Sequence, residues 1–293
     1  MIRVLAPAKL NLFLHVGGKR DDGYHDLQSL VVFAGVADTL TFESADALSM
    51  EIEGPFAAEL AVEPNNLVLK AANAFASAAG HALAARIRLT KALPVAAGIG
   101  GGSADAAATM RGLNALWQAG LTQALLEQTA LALGSDVPAC LASAPLWMEG
   151  RGERITPLSQ FPALPLVLVN PRLKLSTADV FAALEARRGN SLGALPSAFH
   201  DRASLLKFLS GTVNDLEAPA RQRAPEIRDV LAGLSHEGAV FARMSGSGAT
   251  CFGIYETEQQ AARAAEAIAA NRPGWWVKAA HVAPANIGEP LVV

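Results

Sequence analysis

The chain has 293 residues, 51% of them hydrophobic and 17% charged, with a formal net charge of −3. That composition is globular rather than disordered, gives room for two domains with a sizeable core, and carries no basic field that would favour nucleic acid. Two cysteines far apart in sequence, Cys140 and Cys251, show no metal spacing and read as small buried apolar residues in a reducing compartment.

The N-terminus, Met1-Ile2-Arg3-Val4-Leu5, soon meets Pro7 and the polar Lys9 and Asn11, so it does not read as a signal peptide. No apolar run approaches the length of a membrane span. The expectation is a soluble, cytoplasmic protein without a membrane or nucleic-acid partner. No unexplained apolar stripe stands out, so a monomer or weak homodimer is expected. Residues 9–16 alternate, with Leu10, Leu12, Leu14 and Val16 on one face and Lys9, Asn11, Phe13 and His15 on the other, as in a half-buried strand. Lys9 and Asn11 are then neighbours, both able to donate to a ligand. Asp21-Asp22-Gly23 reads as a turn, and Tyr24-His25 after it is either part of that turn or a stacking plate and hydrogen-bond partner for a base.

Strands are expected near residues 28–34, 38–43 and 48–53, and a helix capped by Asn65-Asn66 runs to about residue 79, where Gly80 ends it. Residues 85–90 form another strand, in which Ile87 and Leu89 alternate with Arg86 and Arg88. Arg86, Arg88 and Lys91 are expected on its wet face.

The stretch that follows is the most informative in the chain. Pro94-Val95-Ala96-Ala97-Gly98-Ile99-Gly100-Gly101-Gly102-Ser103-Ala104 runs into an alanine-rich helical pattern. Such a junction exposes backbone N–H groups at the positive end of a helix dipole, which suits phosphate. A loop followed by a packed helix is the plainer reading. The spacing is not that of a P-loop, because Gly102 is followed by Ser103 and Ala104 rather than by Lys and Ser or Thr. It is not the dinucleotide fingerprint either, because Ser103 stands where the third glycine belongs.

Thr122 opens a helix that stops near Gly134. Asp136, in Gly134-Ser135-Asp136-Val137-Pro138, is a helix cap or a base for a hydroxyl proton, and both only if one carboxylate oxygen stays available. The pattern changes after about residue 155. A buried strand at 164–169, a capping box at Ser176 and helices near 201–209, 212–218 and 225–235 come next. Strands near 239–244 and 249–255, a helix at 257–270 and a strand at 275–282 complete a ferredoxin-like order. Met244-Ser245-Gly246-Ser247-Gly248-Ala249 joins two of these strands with more small residues than a hairpin needs, as an anion-binding nest would.

Pro7-Ala8-Lys9-Leu10-Asn11-Leu12, Asp22-Gly23-Tyr24-His25, the glycine loop, Gly134–Pro138 and Met244–Ala249 come in one order and together resemble the GHMP kinase superfamily of small-molecule kinases. The resemblance implies an α+β, two-domain GHMP kinase fold, with a ribosomal-S5-like ATP-binding domain over residues 1–157 and a ferredoxin-like domain over 158–293. It implies phosphoryl transfer from ATP, with Mg2+, to a hydroxyl of a cytidine-diphosphate-linked substrate. By matched position, Asp136 would be the base and Lys9 its cationic partner. Residues 94–104 would wrap the ATP phosphates. Asn11, Tyr24, His25, Phe181, Ser245, Gly246, Ser247 and Gly248 would bind the acceptor, with Tyr24 and Phe181 on either side of the cytosine. Ala104 stands where the family has a second serine, so no protein ligand to the metal is assigned and Ser103 is the remaining hydroxyl. The other readings of the same motifs are a GHMP kinase for another small acceptor, such as homoserine, mevalonate or a sugar, and a non-catalytic nucleotide-binding module.

Overall fold

A long antiparallel hairpin, β1 (Ile2–Lys19) with β2 (His25–Ser44), is the spine of the molecule. It is described here from a computed structural model that covers residues 1–21, 23–61, 66–184 and 195–293. Asp22 and Asn65 lie outside the described residues. The strands expected at 28–34 and 38–43 are one strand, because register shifts between Pro7 and Lys9 and between Asn11 and Phe13 absorb the bend without breaking the ladder. Pro7 has no N–H for that ladder, and the amide of Lys9 donates instead to Ile99 O in the glycine loop, at 2.9 Å. The bulge thus turns Lys9 toward the loop.

β3 (Ser49–Glu53), α1 (Ala57–Ala61), α2 (Leu67–Ala79), β4 (Ala85–Thr90), α3 (Gly101–Trp117), α4 (Gln123–Leu133), α5 (Val137–Ala142), β5 (Leu146–Gly150) and β6 (Arg154–Pro157) follow. Then come β7 (Pro165–Asn170), α6 (Thr177–Ala182), α7 (Arg202–Ser210), α8 (Glu217–Arg223), α9 (Glu226–His236), β8 (Phe241–Met244), β9 (Cys251–Ile254), α10 (Glu258–Asn271), β10 (Trp276–His281) and β11 (Leu291–Val292). The helix ends follow capping chemistry. Asn66 accepts from Val68 N, Thr122 from Leu125 N and Ser176 from Asp179 N, and Gly80 closes α2 in the left-handed conformation. Each such cap contributes about 1 kcal/mol. The helix expected from 212 starts only at Glu217, because residues 213–215 bond to β1 instead: Leu14 N donates to Val213 O and Asp215 N to Leu14 O.

Two sheets result. The seven-stranded sheet has the order β11-β1-β2-β4-β3, with β5 paired to β2 and β6 to β5. The four-stranded antiparallel sheet has the order β10-β7-β9-β8, the ferredoxin-like arrangement. β1 is not half-buried. Both its faces are covered, and it runs through three apolar clusters in turn. Val4 and Ala6 pack under α2 and α3, Ala8 to Phe13 pack between the two sheets, and Leu14 and Val16 pack against Leu216 and Met244 in the second half. Burying one Leu or Phe contributes about 1.5–3 kcal/mol, so the middle cluster holds the two sheets as one body. It joins Leu10, Leu12 and Phe13 to Leu166, Leu168 and Phe252. No helix among the described residues is long and apolar enough to cross a membrane.

Candidate active site

Lys9 and Asp136, 127 residues apart, meet at one point: Lys9 Nζ donates to Asp136 Oδ1 at 2.8 Å. The lysine side chain is only 4% exposed, whereas the aspartate is 37% exposed. Asp136 occupies the N-cap position of α5, yet its side chain makes no capping bond, so the carboxylate is available to the cleft. A chain of hydrogen bonds orients the lysine. Ser29 Oγ donates to Phe13 O, Asn11 Nδ2 donates to Ser29 Oγ, and Lys9 Nζ donates to Asn11 Oδ1 at 3.2 Å. The hydroxyl proton of Ser29 is engaged by a carbonyl, so the amide nitrogen of Asn11 must face Ser29 and its oxygen must face Lys9. Lys9 keeps one of three N–H groups for a ligand. Asn11, expected to hold the acceptor near Lys9, lines a cavity together with Asp136 and also orients Lys9 through its amide oxygen.

Lys9, Asn11 and Asp136 line a cavity of about 430 Å3, walled by Ala96–Gly98 and Gly100–Ser103 on one side and by Phe181, Gly246 and Ser247 on the other. A second cavity of about 230 Å3 lies across the loop, lined by Leu60, Asn66, Leu67, Val68, Lys91 and Pro94 among others. Leu67, Ala96, Gly101 and Gly102 belong to both. The glycine loop therefore divides a two-chambered cleft. Gly98 (φ +73°) and Gly100 (φ +61°) adopt left-handed backbone, and a Cβ on Gly98 would come within 2.6 Å of Gly248 O and Ser245 O. Of the loop residues, Ile99 and Ala104 face the core rather than the cleft. Ala104 N donates to Gly100 O and its methyl is buried, so neither is presented to a phosphate.

The small residues of the Met244–Ala249 loop have a packing reason. Two backbone loops abut here, and a Cβ on Gly246 would lie 2.7 Å from Gly98 O. Ser245 does not face the acceptor cavity. Its buried hydroxyl accepts from Asn11 N and donates to Gly98 O, both at 3.1 Å, and so ties the second half to β1 and to the glycine loop. Gly248 is likewise buried against Met244. Gly246 and Ser247 do reach the cavity, and Ser247 Oγ pairs with Thr177 Oγ1 at 2.8 Å.

The aromatic residues are near one another but not as a ready sandwich. His25 stacks on Phe181 with ring centroids 5.5 Å apart, too close to admit a base, and Tyr24 is half exposed with the Arg151 guanidinium over its ring. His25 Nδ1 is buried without a hydrogen-bond partner among the described residues.

Lys91 corrects the sequence reading. Arg86 and Arg88 are exposed and paired with Glu43 and Glu51. Lys91 is buried, with Nζ 2.5 Å from Asp38 Oδ2 and 2.6 Å from Asp105 Oδ2, directly under Gly101. Asp38 Oδ1 also accepts from the amides of Ala92 and Leu93. Burial alone would lower the lysine pKa, but the two carboxylates outweigh it and leave it raised. One ammonium cannot satisfy two buried carboxylates, and burial pushes Asp105 up to about 7 despite Lys91. An acidic residue amid alanines, Asp105, was the available sequence signal for this triad.

No group of three or more His, Cys, Asp or Glu side chains suited to a metal exists among the described residues. Residues 66–144 match the model for the GHMP kinases N terminal domain, and residues 181–273 match the model for GHMP kinases C terminal. The chain is 51% identical over 285 residues to the 4-diphosphocytidyl-2-C-methyl-D-erythritol kinase of Paracoccus denitrificans, covering 97% of this chain and 98% of that protein. It is 48% identical over 277 residues to the protein of the same name from Ruegeria pomeroyi, covering 94% and 97%. A crystal structure of 4-(cytidine 5'-diphospho)-2C-methyl-D-erythritol kinase superposes with a TM-score of 0.77 at 35% identity, covering 96% of this chain and all of that one. A homoserine kinase from Cytophaga hutchinsonii, 17% identical with a TM-score of 0.71 over the whole of this chain and 97% of that one, shares the fold.

Proposed function

The chain belongs to the 4-diphosphocytidyl-2-C-methyl-D-erythritol kinase family of the GHMP kinases, small-molecule kinases that take phosphate from ATP, and from that membership we propose that Asp136 and Lys9 transfer the γ-phosphoryl of ATP to the 2-hydroxyl of that cytidyl substrate. One observation carries the reading: the 2.8 Å Lys9–Asp136 pair opens into a cavity walled by the glycine loop.

Asp136 takes the proton of the 2-hydroxyl as that oxygen bonds to the γ-phosphorus, and the bond from phosphorus to the β,γ-bridging oxygen breaks to release ADP. Lys9 directs its remaining N–H at the phosphoryl oxygens, where charge develops, and Asn11 and Ser29 fix its direction. Residues 94–98 and 100–103 supply backbone and Ser103 hydroxyl contacts to the phosphates at the N-terminus of α3. The smaller chamber beside Asn66, Leu67 and Lys91 takes the adenosine end, and the larger one takes the acceptor. Mg2+, when bound, would supply charge neutralisation at the phosphates; the described residues hold no acidic cluster, so phosphate oxygens and water would be its ligands. The partnerless Nδ1 of His25 favours a base beside the Phe181 ring, and seating it between Phe181 and Tyr24 requires the stacked His25 ring to swing aside. In this reading residues 1–157 serve ATP, residues 158–293 close over the acceptor, and the protein works in the cytoplasm as a monomer or weak homodimer.

The test is direct. Protein mixed with Mg-ATP and the cytidyl substrate yields ADP and a monophosphate ester at the 2-position, while homoserine and mevalonate yield neither. ADP release at background level with the cytidyl substrate removes the proposal.

A further inference from the structure

α5 presents Asp136 from its first end and is only six residues long, so the base is located by whatever holds this short helix. Asp136 has no capping bond of its own. Its backbone oxygen accepts from Cys140 N at 3.0 Å, and the far end of the helix is gripped from outside by Arg111 of α3. Arg111 Nη1 donates to Cys140 O at 3.2 Å and to Leu141 O at 2.8 Å, and both terminal nitrogens reach Ser143 Oγ at 3.3 Å. Ser143 closes the helix with a left-handed φ of +47° and donates its hydroxyl to Cys140 O. A cation on the last carbonyls of a helix meets both their lone pairs and the negative end of the dipole. Burial lowers the Arg111 pKa to about 10, which still leaves it charged at neutral pH.

We infer that Arg111 is a positioning residue for Asp136, and that α3 sets the distance between donor phosphate and base. The same helix begins at Gly101 in the phosphate loop and carries Arg111 ten residues later, about 15 Å along its axis. One rigid rod thus refers both reacting partners to a common frame. The segment after β10 locks this arrangement from outside. It lays Gly288 on the guanidinium, where a Cβ would overlap the nitrogens, and places Glu289 within electrostatic reach. Of the residues of α5 and its cap, only Asp136 lines the acceptor cavity. Moving α5 therefore moves the base and leaves both substrate chambers in place. This inference rests on Asp136 being the base.

The experiment is steady-state kinetics with Mg-ATP and the cytidyl substrate on Arg111→Met, Arg111→Lys and Asp136→Asn. A base displaced by a fraction of an ångström lowers kcat of Arg111→Met by about 10- to 100-fold, with both KM values nearly unchanged. Arg111→Lys, which can still serve one carbonyl, recovers part of that loss. Gly288→Ala, which keeps the arginine but pushes on it, shows the same split more weakly and decides the question if Arg111→Met does not fold. Wild-type kcat in Arg111→Met, or kcat and both KM values changing together in proportion to lost thermal stability, overturns the inference. If Asp136→Asn is inactive while Arg111→Met has wild-type kcat, only this inference falls. If Asp136→Asn turns over at the wild-type rate, the base assignment falls and takes this one with it.

Discussion

Two lysines flank the glycine loop, and they are engaged in opposite ways. Lys9 meets one carboxylate that is more than a third exposed and keeps an N–H in reserve. Lys91 is sealed between two carboxylates exposed by 3% or less. Its near-complete burial makes the second group a brace, at the edge of the smaller cavity: it ties β2, the strand-to-loop turn and α3 together under Gly101. The first group exposes its carboxylate to the larger cavity, as chemistry on a bound hydroxyl requires. The contrast shows that an ion pair is a candidate for catalysis when its carboxylate is exposed to a cavity, not merely when it is buried.

The largest expected effect is at the open pair. Asp136→Ala lowers kcat by about 10²- to 10⁴-fold, the usual worth of a general base, while calorimetry finds ATP affinity close to that of the natural chain. Turnover near the natural rate would dissolve the contrast. At the sealed group the expected loss is in stability. Lys91→Met strands two buried carboxylates, and urea unfolding should register about 3–5 kcal/mol of destabilisation. A change below about 1 kcal/mol, the range of an exposed pair, would show that Lys91 is no brace.

The smallest effect is a slope. Asp105 carries a raised pKa, about 7 in the folded state against 3.8 when exposed, so between those values the folded protein holds a proton that the unfolded chain has lost. Its contribution is complete below about pH 4, declines as pH rises and is gone above about pH 7. Asp105→Asn keeps the shape and cannot titrate, so unfolding free energy measured from pH 4 to 8 should lose that decline. An unchanged slope would assign the decline to another group.

Much of this was legible beforehand, for physical reasons. β4 begins and ends where the alternation of Ile87 and Leu89 places it, because one face of it is wet. The caps at Asn66 and Thr122 act through the bonds their side chains predict. The meeting of Lys9 with Asp136 came from matched motifs, since no local pattern links residues 127 apart. Lys91 was misread because it stands one residue past β4, where the period-two rule no longer says which way a side chain points. The place of Ser245, behind the cavity rather than in it, is not legible because a hydroxyl looks the same in sequence whether it meets a substrate or a neighbouring backbone.

The path of β1 through three successive cores decides what happens if the backbone is cut between the two sheets. A fragment ending near residue 157 would keep Leu14 and Val16 but lose the apolar partners that cover them, and it would lose the outer neighbour that Leu291 and Val292 provide for Ile2 and Arg3. The remaining fragment would be left with Val213 O and Asp215 N unpaired and the gap of a missing strand in its side. Neither piece has a closed surface alone, so the two halves are interlocked like clasped hands, and any scheme that shuffles one of them between relatives has to carry residues 2–19 along with it.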